Sequence, residues 1–247
     1  MEIWHYIESL NRTDFPTEQK ISTLEFIAEE GNSSHIYYLF NLLHDENKSI
    51  RNKACETIIA LFYKIKNKKG YADALKYCPV SDEDLAFYQV HFTVEQSVEL
   101  LAIGSLNSNG YIRQSAVEKL AMISHPRAIQ FLVYRLADWV LHVREAAKKG
   151  IENYLTPEHL EGLIQNLPLF EWIKQVERVN LKEIHRVVIE YIAIENRVSV
   201  LARFRSYPDL IRLLLAQHLS TSLIDLHSEL NYFLTDTYFR IRLLALD

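Results

Sequence analysis

Four arginines in this chain occupy the same place in a recurring pattern, and their side chains are suited to binding carboxylates. Each copy has an Asp or Asn, a branched aliphatic residue five positions later, the Arg next, and an Ala three positions after it. The four copies are Asp45-Ile50-Arg51-Ala54, Asn107-Ile112-Arg113-Ala116, Asp138-Val143-Arg144-Ala147 and Asp236-Ile241-Arg242-Ala245. A guanidinium is always charged, and its planar set of donors can hold a carboxylate through two parallel hydrogen bonds. The spacing therefore indicates a structural set of Asp/Asn and Arg side chains or, as the alternative, a row of binding arginines.

Other residue types that support catalysis or metal binding are scattered along the chain. The ten histidines form no HxxxH, HExxH or His-Glu pattern. Cys55 and Cys78 form no ligand pair of the CxxC type, so each is interpreted as a small core or half-buried residue. The chain also has no Walker loop, GxGxxG or GxSxG motif. We therefore predict no catalytic residue, no metal site and no cofactor.

A second group of basic residues has the spacing of one helix face. These residues, called the basic stripe, are Lys174, Arg178, Lys182 and Arg186. On a continuous helix, side chains four positions apart lie along one side, although interleaved glutamates partly neutralise them here. The stripe is interpreted as a solvated helix face or, alternatively, as a contact for an acidic peptide or a nucleic-acid backbone.

Composition favours a helical protein that does not bind nucleic acid. The 247 residues include 27 Lys and Arg against 32 Asp and Glu, a net charge of −5, whereas nucleic-acid binding requires basic surfaces. Only six Gly and six Pro are present, fewer than a strand-rich fold usually needs for its turns. The N-terminus lacks the features of a signal peptide, and no apolar run approaches the roughly 20 residues of a membrane span. We expect a cytoplasmic protein without membrane contact.

The distances between the copies predict an array of helical hairpins. The four Asp or Asn residues are 62, 31 and 98 positions apart, close to two, one and three multiples of a repeat of about 31 residues. We predict one all-α array over residues 1–247, with about seven two-helix repeats. The clearest repeats are 33–66, 93–124 and 125–155, the degenerate regions are 67–92 and 156–235, and 236–247 is a partial repeat.

Several residues indicate where helices begin. Thr93 with Gln96 has the spacing of a capping box, and acidic residues after Ser81 suit a helix N-terminus. Residues 169–195 predict either one long helix or two helices joined near Asn180. Because the last copy of the pattern ends in an apolar, unfinished helix, we expect further repeats after it or docking of this helix elsewhere.

The clearest repeat resembles a known family. His125-Pro126-Arg127-Ala128-Ile129, followed by Leu132, Leu136, Asp138, Val143-Arg144 and Ala147, resembles a HEAT repeat of the short bacterial type, also called phycobilisome-lyase-like. The segment from His35 to Leu61 is similar. The resemblance implies a right-handed α-solenoid of the armadillo/HEAT type, whose second helices line a concave face. It also implies that the four arginines and their Asp or Asn partners form a ladder along the stack.

The repeat framework predicts a non-catalytic scaffold that binds a protein or peptide on its concave face. The exposed positions two and six residues after the aliphatic residue are the candidate contacts: Asn52, Glu56, Gln114, Glu118, Glu145 and Lys149. They are mostly acidic or polar, which favours a polar or basic partner. Two alternatives, each also implied by the resemblance, are a bilin lyase-like or other HEAT-fold enzyme and a nucleic-acid-binding protein. The His-Glu pairs that hold the metals of deoxyhypusine hydroxylase, another HEAT-repeat enzyme, do not occur.

Overall fold

The structure, a computed structural model, describes residues 3–12, 14–65, 75–221 and 227–246, without the side chains of 227–229. Every regular element in these residues is a helix, which confirms the predicted all-α class. None of the described helices combines the length and the apolar character that crossing a membrane requires. The chain divides into two compact units, Met1–His125 and Pro126–Asp247. The right-handed superhelix and the division into about seven repeats stay predictions, and residues 67–74 of the degenerate region 67–92 lie outside the described part.

The first unit is built from helices in the residues that the structure describes. Its helices are α1 (Ile3–Leu10), α2 (Thr17–Glu30), a 3₁₀ helix (Ser33–His44), α3 (Lys48–Tyr63), α4 (Asp82–His91), α5 (Val94–Gly104) and α6 (Gly110–Met122). Helix α3 packs against both the 3₁₀ helix and α2, and α5 packs against α6. Ile50, Ala54, Ile58 and Leu61 are all buried on α3. These positions fall on one helix face, and the small Ala allows close packing.

Two predicted helix starts in this unit are confirmed. Thr93 accepts a hydrogen bond from the Gln96 backbone N–H, while the Gln96 side chain accepts one from the Thr93 N–H. Ser81 and Asp84 form the same reciprocal pair at the start of α4. Both capping boxes satisfy backbone donors that have no partner inside the helix.

The second unit has shorter and less regular helices. They are α7 (Ala128–Arg135), α8 (Leu141–Asn153), α9 (Leu160–Gln165), α10 (Leu167–Ile173), α11 (Lys182–Glu190), α12 (Arg197–Arg203), α13 (Asp209–Thr221), α14 (His227–Leu234) and α15 (Phe239–Leu244). A π-helical turn, Tyr191–Glu195, follows α11 directly. The interpretation of residues 169–195 as one long helix is wrong, because α10 ends at Ile173 and α11 begins only at Lys182.

Candidate functional site

The four copies of the sequence pattern form the same hydrogen-bonded turn between two helices. In each copy the Asp or Asn Oδ1 accepts a hydrogen bond from the backbone N–H two residues later, at 2.7–2.9 Å. The Arg, six residues after the Asp or Asn, donates from Nη1 to the backbone carbonyls of that residue and of its successor. These Arg bonds are 2.7–3.1 Å long in all four copies. The pattern therefore encodes a closed turn, which we call the arginine clamp.

The arginine clamp is a contact within one turn, and the expected ladder along the stack stays a prediction. Arg51, Arg113, Arg144 and Arg242 hold the main chain of their own turn, because the fourth residue of a helix lies directly over the turn that precedes it. The Asp or Asn side chains also contact residues that come earlier in the chain. Asn107 Nδ2 donates to the Cys78 carbonyl at 2.9 Å, and Asp45 Oδ2 lies 3.8 Å from Lys20 Nζ. Asp236 Oδ1 lies 3.0 Å from Arg212 Nη2 on α13.

The basic stripe does not lie on one helix. Lys174 follows the end of α10, Arg178 lies in the connection, and Lys182 and Arg186 belong to α11. Arg178 Nε donates to the Ala137 carbonyl at 3.0 Å, and its guanidinium lies 4.7 Å from the centre of the Trp139 ring. Because α10 ends before Lys174, the i+4 spacing does not place these four residues along a common face.

Carboxylates neutralise the two stripe residues that lie nearest to glutamates. Lys174 pairs with Glu171 at 3.0 Å. Arg186 pairs with both Glu183 and Glu190 at 2.7 Å. The use of the stripe as a binding surface stays a hypothesis, and these ion pairs would compete with any acidic partner.

The predicted contact residues lie on the second helices of the three clearest repeats. Glu56, Glu118, Glu145 and Lys149 are exposed, whereas Asn52 and Gln114 are half-buried. Glu56 pairs with Lys53 at 3.1 Å. Glu118 accepts a hydrogen bond from the Gln114 amide, a neutral group, at 2.8 Å.

Each unit has a cleft lined by some of these residues. The unit 1 groove, about 480 Å³ in volume, is lined by Lys48, Asn52, Glu56, Val90, His91, Phe92, Thr93 and Gln96. The unit 2 cleft, about 180 Å³, is lined by Leu136, Leu141, Arg144, Glu145, Lys148, Val179, Asn180, Leu181, Glu183 and Ile184. Val90 is 77% exposed in the first and Leu141 is 52% exposed in the second. Each cleft thus combines an accessible apolar side chain with charged residues.

A cluster that sequence reasoning missed lies where three helices of the second unit meet. Glu171 Oε1, on α10, lies 2.9 Å from His185 Nε2 on α11 and 2.7 Å from His218 Nε2 on α13. The three side chains are half-buried. They are 14 and 33 positions apart in the sequence, so no short motif could reveal them.

Helix register explains how His185 comes to face Glu171. The arginine-clamp helices α3, α6, α8 and α15 carry a branched aliphatic residue third and the clamp Arg fourth. Helix α13 does the same with Ile211 and Arg212, and Arg212 Nη1 donates to the Tyr207 carbonyl. Helix α11 has Ile184 third and His185 fourth. His185 thus has the helix position of the clamp Arg, although residue 179, six positions before it, is Val rather than Asp or Asn, and it contacts a carboxylate on another helix.

The environment of Glu171 keeps its carboxylate ionised. Burial by itself would raise its pKa, but hydrogen bonds from His185, His218 and Lys174 outweigh this effect. The pKa of Glu171 consequently lies well below its ordinary value. Glu171, His185 and His218 each offer one atom that could bind a metal ion, and these three atoms all lie within 4.8 Å of one another.

Comparison with known proteins leaves the family open. No family model and no curated protein matches the chain. A solved structure described as "Designed armadillo repeat protein YIII(Dq)4CqI" is similar at 17% sequence identity, with a TM-score of 0.36. That alignment covers 99% of this chain and 97% of the designed protein. The all-α class described above rests on the helices of the chain itself.

Proposed function

We propose that this chain is a non-catalytic scaffold that binds an extended peptide segment of another protein. The observation that carries this proposal is the pairing of predicted contact residues with accessible apolar side chains in one cleft of each unit. Asn52 and Glu56 line the unit 1 groove together with Val90. Glu145 lines the unit 2 cleft together with Leu141.

Such a lining suits a peptide better than a small polar molecule. The exposed part of Val90 or Leu141 can cover an apolar side chain, which removes its surface from water. Nearby carboxylates and amides can bind the peptide main chain or a basic side chain. Peptide-recognition sites generally combine these two contributions, with main-chain hydrogen bonds for affinity and side-chain pockets for specificity.

Each cleft has an exposed carboxylate that a basic residue of a partner can pair with, beside the cationic lining residues Lys48 in the first and Arg144 and Lys148 in the second. Glu56 at the unit 1 groove and Glu145 at the unit 2 cleft are both exposed carboxylates. Each has a basic neighbour, Lys53 or His142, at 3.1 and 3.4 Å. Exposed pairs of this kind contribute little free energy, so an Arg or Lys of a partner can replace the intramolecular contact.

Selection from a random peptide library displayed on phage tests this proposal. We expect enrichment of sequences that contain basic and apolar residues, and binding of the synthetic peptides to the purified chain. Glu56→Lys or Glu145→Lys should weaken that binding at least about tenfold, since each reverses a charge at a cleft. The matched controls are Glu8→Lys and Glu158→Lys, which make the same charge change at exposed positions that do not line either cleft.

Two results would contradict the proposal. The first is that no peptide sequence is enriched. The second is that the cleft variants and the control variants bind the selected peptides equally. Elution of the chain from a heparin column only at high salt would instead favour the nucleic-acid alternative, because phosphate-type contacts are salt-dependent.

A further inference from the structure

The cluster of Glu171, His185 and His218 has the composition of a metal site. Zinc in proteins is bound by His nitrogen and carboxylate oxygen at about 2.0–2.2 Å, and two His with one Glu is a known ligand set that leaves one position open. Imidazole ligands select zinc and neighbouring transition metals, whereas magnesium and calcium prefer sites made of oxygen. The donor set therefore points to a transition metal.

The geometry of the cluster needs only a small change to hold such an ion. Tetrahedral bonds of about 2.1 Å place ligand atoms roughly 3.4 Å apart. The present distances from Glu171 Oε1 to the two His Nε2 atoms are 2.9 and 2.7 Å, and all three ligand atoms lie within 4.8 Å of one another. Metal binding would open the two Glu171–His contacts by about half an ångström and would bring the two His Nε2 atoms, now within 4.8 Å of each other, to the same tetrahedral separation.

Access and support around the cluster also suit an ion. The side chains of Glu171, His185 and His218 are 22%, 13% and 15% exposed, so an ion can enter and a water can complete its coordination. Lys174 Nζ lies 3.0 Å from Glu171 Oε2, the oxygen that does not face the imidazoles. It orients the carboxylate as ligand-orienting groups do in metal sites, although its charge opposes a cation.

We propose that Glu171, His185 and His218 bind one divalent transition-metal ion, with zinc as the best fit. The ion would connect α10, α11 and α13.

Zinc titration of the EDTA-treated chain tests the proposal. In competition with a chromogenic chelator, we expect one zinc ion per chain, no displacement by magnesium, and a rise in melting temperature on binding. His185→Ala and His218→Ala should each weaken zinc binding by at least about 100-fold, since each removes one of three ligands. His142→Ala is the matched control, because this exposed histidine on α8 lies outside the cluster.

Two further variants keep the test decisive. Glu171→Gln has nearly the wild-type shape, so weaker zinc binding with an unchanged circular dichroism spectrum would locate the ligand without unfolding the unit. Lys174→Gln should tighten zinc binding several-fold, because it removes a positive charge near the ion. The proposal would be overturned if zinc did not bind, or if His185→Ala and His218→Ala bound zinc as tightly as the wild type.

Discussion

Arg212 and Asp236 form a buried ion pair in which two guanidinium nitrogens meet the two carboxylate oxygens. Nε lies 3.0 Å from Oδ2 and Nη2 lies 3.0 Å from Oδ1. The residues are 7% and 4% exposed and connect α13 to the turn before α15. Asp236 thus takes part in its own arginine clamp and in a contact with α13.

Breaking this pair should destabilise the second unit strongly. Asp236→Ala leaves the Arg212 charge buried and only partly compensated, so we expect a loss of about 3–5 kcal/mol in the free energy of unfolding. Urea denaturation measures this change. Arg212→Met combined with Asp236→Ala should cost less than the sum of the two single variants, because the double variant leaves no buried charge. Additive losses would contradict the proposed coupling.

A second prediction concerns the arginine clamp. Arg144→Ala removes two charge-assisted hydrogen bonds to the Asp138 and Trp139 carbonyls, and we expect a loss of about 1.5–3 kcal/mol in the free energy of unfolding. Arg144→Lys should lie between that variant and the wild type, because an ammonium lacks the planar set of donors. Lys148→Ala, on the same helix, should change stability by less than about 0.5 kcal/mol. Equal effects of Arg144→Ala and Lys148→Ala in urea denaturation would refute this role of the clamp.

A third prediction concerns Gly162 in α9. An added Cβ would lie 2.9 Å from both Ile129 Cδ1 and Pro126 Cβ. Gly→Ala normally stabilises a helix, but the proline ring cannot move aside as a flexible side chain can, so Gly162→Ala should cost about 1–3 kcal/mol. Gly104→Ala, which meets the flexible end of Leu85 at 2.7 Å, should cost less. Thermal unfolding measures the melting temperatures of both variants. A larger loss for Gly104→Ala than for Gly162→Ala would contradict the greater rigidity of the contact with Pro126.

The two cysteines should react slowly in the folded protein. Burial raises the pKa of the Cys55 and Cys78 thiols to about 12, and only the thiolate attacks a disulfide reagent. At pH 8 we therefore expect reaction with Ellman's reagent at least about 100-fold slower in buffer than in urea. Raising the pH toward 12 should accelerate the reaction, because thiols with a pKa of about 12 become thiolates only near that pH. Equal rates in buffer and urea at pH 8 would disprove the burial of both thiols.

The positions of the clamp arginines could be predicted from the sequence, but their hydrogen-bond partners could not. The spacing of Asp138 and Arg144, repeated three more times, predicts a turn and a helix start. It does not distinguish a carboxylate from the two carbonyls that Arg144 binds, because both accept from the same donors. That choice depends on the direction of the side chain at the fourth helix residue.

The basic stripe and the metal cluster show two other limits. No Gly or Pro lies between Lys174 and Lys182, so the sequence contains no strong signal that α10 ends at Ile173. Glu171 and His218 are 47 positions apart and meet only because α10 packs against α13. A local pattern cannot show such a contact. That His185 is the fourth residue of its helix could be recognised only after the start of α11 was known.

The Asp and Asn residues of the clamps also bear on the order in which the chain can fold during synthesis. Asp45 contacts Lys20, Asn107 contacts Cys78, Asp138 contacts Arg135, and Asp236 contacts Arg212. In each of these four contacts the partner precedes the Asp or Asn in the chain, whereas the bonds of the clamp join it to residues that follow. During synthesis, each new turn therefore finds its partner already made, and it can be secured before the following hairpin leaves the ribosome.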